Sequence, residues 1–561
     1  MQNSNTFDAI VIGSGISGGW AAKELTEKGL KTLVLERGRN LEHVKGYTTT
    51  NLPPWKFEHR GHATEQDKKD YYVQHTVYAF NEGTRDYWVK DTEHPYTTPD
   101  DQPFRWIRGY HLGGRSIMWG RQSYRLSDLD FEANAKDGHG IDWPIRYKDI
   151  APWYDHVESF AGISGKAEGL AQLPDGKFLP PMDMTCVEEH IKNAMEETWS
   201  DRMMTIGRVA NLTQAHNGRS ACQYRNLCYR GCPYSAYFSS QSATLPAAAD
   251  TGNLTLKTDS VVVSINYDPD TNRASGVQVL DTKTGETTEY TAKIIFLCAS
   301  TLGSTWLLLN SANQHFPEGL ANSSGTLGHY LMDHHYRVGA SAEFEGFDDK
   351  YYTGTRPNGI YIPRFRNVND AHPDFVRGYG FQGSATRQGW TRGVNTIGFG
   401  ADFKEKMMKP GPWSMRLTGF GECLPYFENK VELNQEVKDV HGLPTLHISA
   451  KFRDNEYAMR KDIAKTAVEI FEAAGAKNIT AYDHSDIPGF GIHEMGTARM
   501  GNDPKTSVLN KWNQSHDIPN LFITDGSCMT SSACQNPSLT YMALTARAAD
   551  YAVKQLKEGA L

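Results

Sequence analysis

His493 is the side chain best placed by its surroundings for acid–base chemistry. It lies in Gly491-Ile492-His493-Glu494-Met495-Gly496-Thr497-Ala498-Arg499-Met500-Gly501, a stretch bounded by glycines. An imidazole titrates at about pH 6.5, so it can take up or release a proton near neutrality. A second concentration of chemistry is Cys222, Cys228 and Cys232, spaced C-x5-C-x3-C with Pro233 after the last thiol. Thiolates so spaced can converge on one point and favour soft metals or iron–sulfur clusters. Three cysteines with no obvious fourth suit a three-iron cluster. A Cys3His zinc site using His216 and a disulfide with one spare thiol remain open at this stage.

The elements that must hold these groups begin at residue 7. Phe7 to Ile12 is an apolar, β-branched run that reads as a buried strand. Gly13-Ser14-Gly15-Ile16-Ser17-Gly18 fits G-x-G-x-x-G, and Trp20 to Gly29 reads as a helix. A second strand, Lys31 to Leu35, ends in Glu36. This βαβ unit predicts dinucleotide binding. Gly13 allows the sharp turn, Gly15 lets backbone approach a pyrophosphate, and Gly18 lets helix and strand pack closely. The helix N-terminus supplies free N–H groups. The Glu36 carboxylate can accept from ribose hydroxyls. Gly113 and Gly114, followed by Ser116, form a second backbone shaped for close approach to a ligand.

Several strands are predicted over 253–300, ending in Lys293 to Ser300, and a helix follows from Thr301. Residues 336–480 alternate polar and aromatic runs, then give a long amphipathic helix over Asp454 to Ala474. Asn520 to Thr524 reads as a strand ending in Asp525, and Tyr541 to Leu556 as the last helix. Adjacent His334 and His335 point to opposite faces of a strand and are read as structural. Glu422 is read as a structural salt-bridge partner rather than a sugar ligand. Residues 40–100 read as an irregular excursion. The chain has 561 residues and a net charge of −8 with no basic runs, which argues against nucleic acid as partner. No apolar stretch reaches about 18 residues, so no membrane span is expected. No signal peptide is read at the N-terminus.

Taken together, the opening βαβ unit, Leu112-Gly113-Gly114-Arg115-Ser116, Gly328-His329-Tyr330-Leu331-Met332-Asp333-His334, the His493 segment, Asp525-Gly526 and Asn536-Pro537-Ser538 resemble the glucose–methanol–choline (GMC) flavoprotein oxidoreductases. The resemblance implies an α/β fold with a discontinuous Rossmann-like FAD-binding domain and a mixed-sheet substrate domain. It divides the chain into an FAD-binding part (1–330, with the excursion at 40–100 and the Cys-rich segment at 216–240), a substrate part (331–485) and a C-terminal return (486–561). It implies that His493 and Asn536 form the catalytic pair. It implies FAD contacts from Gly13, Gly15, Ser17, Gly18, Glu36, Arg37, Gly113, Gly114, Ser116, Asp525, Gly526, Asn536, Pro537 and Ser538. Some members tether the flavin through a His just after the Gly-Gly-x-Ser run. Met118 stands near that place here, which implies non-covalent FAD.

The cysteine spacing is similar to that of the cluster-bearing large subunits of this family, among them those related to fructose, glucose, gluconate 2- and glucoside 3-dehydrogenases. That likeness implies a [3Fe-4S] cluster on Cys222, Cys228 and Cys232, a small subunit and a cytochrome c-type acceptor. It further implies oxidation of a sugar or glycoside hydroxyl, with C3 of a glucoside as the leading expectation. Export to the periplasm with a signal-bearing partner would follow; otherwise the protein is cytoplasmic. An oxygen-using oxidase with structural cysteines, a flavoprotein of another class such as a desaturase, and a non-catalytic relay subunit are the alternatives.

Overall fold

A computed structural model describes residues 5–389, 392–393 and 396–561. Two sheets organise it. The first has seven strands in the order Leu254–Lys257, Thr32–Leu35, Thr6–Ile12, Thr287–Leu297, Arg273–Asp281 and Ser260–Asp268, with Leu521–Ile523 also paired to Thr287–Leu297. Thr287–Leu297 is long enough to serve two neighbours along one edge. Its first half pairs antiparallel with Arg273–Asp281, and its last residues pair parallel with Leu521–Ile523. Ala9–Ile12, Thr32–Leu35 and Ile294–Leu297, where these three strands pair in the middle of the sheet, are buried, as parallel strands covered on both faces must be.

The first helix runs Ile16–Glu27, four residues earlier than the sequence pattern suggests. Gly18 and Gly19 are poor helix formers, and propensity alone would leave them outside. Packing decides otherwise. A Cβ at Gly18 would collide with the Gly13 carbonyl, and one at Gly19 with Thr244 and Ser240. Only glycine lets this first turn lie so close to the strand end. The last helix likewise starts early, at Ser538, and runs to Lys557.

The second sheet has six antiparallel strands, in the order Lys477–Asp483, His335–Phe344, Trp413–Gly421, Tyr379–Arg387, Ile360–Ile362 and Thr205–Ile206. Side chains alternate across it with period two. Phe381, Ala385, Met415 and Leu417 join the core that the helices Asp454–Ala473 and Cys186–Thr198 cover. Gln382, Ser384, Thr386, Arg416, Thr418 and Phe420 face the other way, into a cavity between the two sheets. The 40–100 stretch holds short helical turns around its own aromatic cluster of Tyr47, Tyr71, Tyr87 and Trp88. Glu422 is a buried ion-pair partner of Arg377 at 2.7 Å, in line with the structural reading. Among the described residues no helix is long and apolar enough to cross a membrane.

Candidate active site

One cavity of about 670 Å³ collects most of the residues singled out above. Gly13, Gly15, Ser17, Glu36, Arg37, Gly114, Ser116, Asp525, Gly526, Pro537 and Ser538 line it, together with His493 and Asn536. Gly18 and Gly113 stand behind the wall. Met118 lines it too, and a thioether forms no histidyl-type tether to a flavin. The first residues of three helices reach the lining: Ile16 and Ser17, Thr301 and Gly303, and Ser538 just after Pro537. Three sets of free N–H groups and three positive dipole ends suit a diphosphate.

Ser14, which sequence reasoning passed over, ties the two glycine loops to the acid. Its hydroxyl donates to Glu36 Oε2 at 2.5 Å and accepts the Gly113 N–H at 2.9 Å. Gly38 N–H donates to Glu36 Oε1 at 2.8 Å. Burial nevertheless pushes the Glu36 carboxyl upward. Gly113 adopts φ +80° and Gly114 lies against Gly15, so the two loops approach backbone to backbone. The site is a cradle for an extended dinucleotide with a ring system at the far end, and its residues fit that group.

At that far end His493 and Asn536 meet. Asn536 Nδ2 donates to His493 Nε2 at 3.3 Å, and Asn536 Oδ1 accepts from Gln382 Nε2 at 2.5 Å. The backbone of His493 is held hard. Asp333 accepts N–H groups from Gly489 (2.8 Å), Gly491 (2.9 Å) and His493 (3.0 Å). Ile492 is forced to φ +60°, a genuine outlier for a β-branched residue. Burial drives the Asp333 carboxyl up to about 7, with Glu494 adding to the rise and the three N–H donors opposing it. Burial also holds His493 well below the usual imidazole range, helped by His334 and the Arg115 charge. Arg115 is paired with Glu494 at 2.8 Å. The arrangement offers a neutral imidazole and an amide N–H aimed at one point in a cavity with a polar roof. It can accept a proton from a hydroxyl and hold the oxygen left behind.

Two histidines read as structural turn out differently from each other. His335 points into the core, where its Nε2 lies 3.2 Å from Met459 Sδ. His334 points to the site, its Nδ1 2.9 Å from His493 Nδ1. The signal was present in the alternation itself: one of two neighbours had to face the cavity. Gln382 was also missed, and only the period-two polar face of its strand could have flagged it.

The thiols are elsewhere. Cys222, Cys228 and Cys232 line a separate void of about 30 Å³, adjoining the large cavity through Asn226. All three are free, against the disulfide option. His216 Nε2 is bonded to the Ser159 carbonyl at 2.8 Å, against the zinc option. The [3Fe-4S] expectation is not supported by this geometry either. Among the described residues no group of three or more His, Cys, Asp or Glu is gathered closely enough to hold a metal. The loop turns through left-handed residues at Tyr224 and Asn226, and its thiols sit spread around the void wall. Burial pushes the Cys222 and Cys232 thiols up, which favours the protonated form.

Comparison with known proteins bears on all of this. Family models described as GMC oxidoreductase match residues 7–336 and 425–545. A 2-methyl-1,2-propanediol dehydrogenase of Mycolicibacterium austroafricanum is 30% identical, over 98% of this chain and 96% of that protein. A fructose dehydrogenase large subunit of Gluconobacter japonicus is 26% identical over 98% of each. In fold, the crystal structure of a pyridoxine 4-oxidase from Mesorbium loti matches with a TM-score of 0.58 at 16% identity, covering 97% of this chain and 98% of that one.

Proposed function

The chain belongs to the GMC oxidoreductases, FAD enzymes that oxidise alcohol or sugar hydroxyls, and on that premise we propose that it oxidises a secondary hydroxyl of a sugar or glycoside, C3 of a glucoside first among the options. Bound non-covalently in the cradle, FAD supplies the hydride acceptor. The chain's own residues do the rest. His493 Nε2 takes the hydroxyl proton. Asn536 Nδ2 donates to the same oxygen as negative charge grows on it. Losing the O–H proton makes the carbinol carbon a better hydride donor. Gln382 holds Asn536 in the orientation that presents its N–H. Asp333 and the closed backbone around it keep the imidazole from drifting.

The observation that carries this reading is the His493–Asn536 pair under the polar strand face of Gln382, Ser384, Thr386 and Thr418. That roof offers hydrogen-bond partners to a polyol. A second reading has a specific basis: the relative named for 2-methyl-1,2-propanediol makes a small diol a candidate substrate.

We further infer that the reduced enzyme is reoxidised by a protein partner of cytochrome c type, with a small subunit in the assembly, rather than by oxygen. Similarity to a protein named a large subunit supports this. Three free thiols lining a void beside the flavin cavity are the donor set a three-iron cluster takes. Binding one would require the loop to draw them together.

The test is anaerobic. Purified holoenzyme is mixed with D-glucose, methyl β-D-glucoside, D-fructose and 2-methyl-1,2-propanediol while the flavin absorbance is followed. Bleaching by a sugar, analysis of a 3-keto product and slow reoxidation by air support the proposal. Bleaching by the diol alone moves the substrate class. Rapid peroxide formation makes it an oxidase, and no bleaching by any alcohol makes it a relay. Iron content and an EPR spectrum decide the cluster.

A further inference from the structure

We propose that His334 is a positioning residue that fixes the tautomer of His493, leaving its Nε2 bare and facing the substrate. The inference rests on the reading of His493 as the base, and deepens it.

The argument runs along a chain of hydrogen bonds whose direction is set at one end. His334 Nε2 lies 2.8 Å from the Ala533 carbonyl and 3.3 Å from that of Ser532. Carbonyl oxygens only accept, so His334 Nε2 carries a hydrogen. His334 is fully buried, and burial lowers it to about 4, so the ring is neutral and its Nδ1 has none. That Nδ1 can only accept. Its partner at 2.9 Å, His493 Nδ1, must therefore donate. A neutral imidazole has one N–H. With it committed at Nδ1, His493 Nε2 is left with its lone pair.

The other end is compatible with this. Asn536 presents its Nδ2 to His493 Nε2, and a donor there requires an acceptor. As placed, Asn536 Oδ1 accepts from Gln382, which turns Nδ2 toward His493. The carbonyls at one end set the tautomer, and an amide donor at the other end fits it.

The two neighbours Asp333 and His334 thus divide one task. Asp333 fixes the backbone of His493 by three N–H bonds, and His334 fixes its ring. The design also limits where the proton goes. A proton taken from substrate can enter only at Nε2, because Nδ1 already has its hydrogen and His334 Nδ1 is filled by it.

The decisive measurement needs neither substrate nor mutant activity. Holoenzyme labelled with ring-15N histidine is examined by two-bond 1H–15N spectroscopy, with the His493 signals identified by their loss in His493→Ala. A protonated Nδ1 and a bare Nε2 on His493 are expected. A bare Nδ1 overturns the proposal outright. His334→Leu removes the acceptor and should mix or reverse the tautomer. It should also slow flavin reduction by D-glucose, methyl β-D-glucoside or 2-methyl-1,2-propanediol about 10²–10⁴-fold, the range seen when a catalytic base is lost or held in the wrong tautomer. FAD content and half-saturation should change little. His334→Asn places Oδ1 where Nδ1 stood and should recover most of the rate. A purely structural role would have both variants fall together, with loss of FAD. His334→Leu with wild-type tautomer and wild-type rate also sinks the idea. If His493→Ala reduces flavin at the wild-type rate, the base reading fails, while the spectra judge the tautomer separately.

Discussion

The His493 segment and the Cys222–Cys232 loop each concentrate reactive side chains in about a dozen residues, yet the fold treats them in opposite ways. Around His493 every degree of freedom is closed. Three backbone N–H groups end on the buried Asp333, the ring is held from one side by His334 and from the other by Asn536, and a β-branched residue is forced left-handed next door. Around the thiols the backbone is held, with Cys222 N–H on the Leu212 carbonyl at 2.8 Å and Ser235 N–H on that of Cys232 at 3.2 Å, but among the described residues no side chain of the site is aimed at the sulfurs. The Tyr224 N–H reaches Cys222 Sγ at 3.4 Å, and the three sulfurs face a void of about 30 Å³. The difference teaches what a side-chain motif lacks by itself. Spacing in sequence says that groups can meet; bonds that end on buried acceptors say that they are held. In one region the bonds end on the reacting ring of the proposed mechanism; in the other they end on the backbone and leave the thiols ungathered.

The largest effect should come from the centre of the held region. In His493→Ala, anaerobic flavin reduction should fall by about 10²–10⁴-fold, the usual share of a general base. FAD should stay bound, since the cradle is built from other residues. Undiminished reduction would remove His493 from the chemistry. Replacing Cys222, Cys228 and Cys232 together by serine should leave reduction by substrate untouched. Electron delivery to cytochrome c should drop sharply if the loop is the exit. Equal loss in both assays would erase the contrast between the regions.

Asp333→Asn comes next. The amide turns one acceptor atom into a donor facing backbone N–H groups. Losing backbone hydrogen bonds of about 0.5–1.5 kcal/mol each should lower the melting temperature and slow flavin reduction. The pH dependence has a definite sign. Burial raises the Asp333 carboxyl from 3.8 to about 7 in the folded protein. A raised carboxyl stabilises the fold most below its unfolded pKa, and that contribution is lost as pH climbs through the folded value. Stability attributable to Asp333 should therefore decline between about pH 4 and 7, and denaturant titrations across that window should show a shallower decline in Asp333→Asn. A steeper one would mean that the ionised form is the one the fold prefers.

How much of this was readable beforehand follows from the range of the interactions. The βαβ unit is local, so strand, glycine loop and Glu36 stood out within thirty-odd residues. Its helix start was misplaced because helix propensity at Gly18 and Gly19 is overruled by contacts with Gly13, Ser240 and Thr244. His493 and Asn536 were legible through family motifs. His334 was not, since its partner is 159 residues away and nothing local distinguishes it from His335. Ser14 hid among the glycines, though it joins two loops 99 residues apart. The thiols show the converse failure. Their spacing is local and conspicuous, but whether they converge depends on the loop backbone, which spacing does not determine.

The smallest effects test the comparison at its finest. Ile492 and Tyr224 are both left-handed, at φ +60° and +51°, one in each region. A non-glycine residue there costs about 1–2 kcal/mol, which glycine would relieve. Glycine also gives the unfolded chain about 0.5–1 kcal/mol more entropy, and Ile492 gives up its packing against the Tyr47 and Trp88 cluster, so Ile492→Gly should be destabilised by about 1–2 kcal/mol and the more exposed Tyr224→Gly by less. The rates should part company. In Ile492→Gly the turn that aims His493 gains freedom, and reduction should slow severalfold although no reacting group is touched. In Tyr224→Gly reduction by substrate should not change at all. A strained residue matters to catalysis only where the strain holds a reacting atom in place. Melting curves and stopped-flow traces of the two variants, measured side by side, would show whether that is true here; equal slowing in both would mean that the two regions are mechanically one.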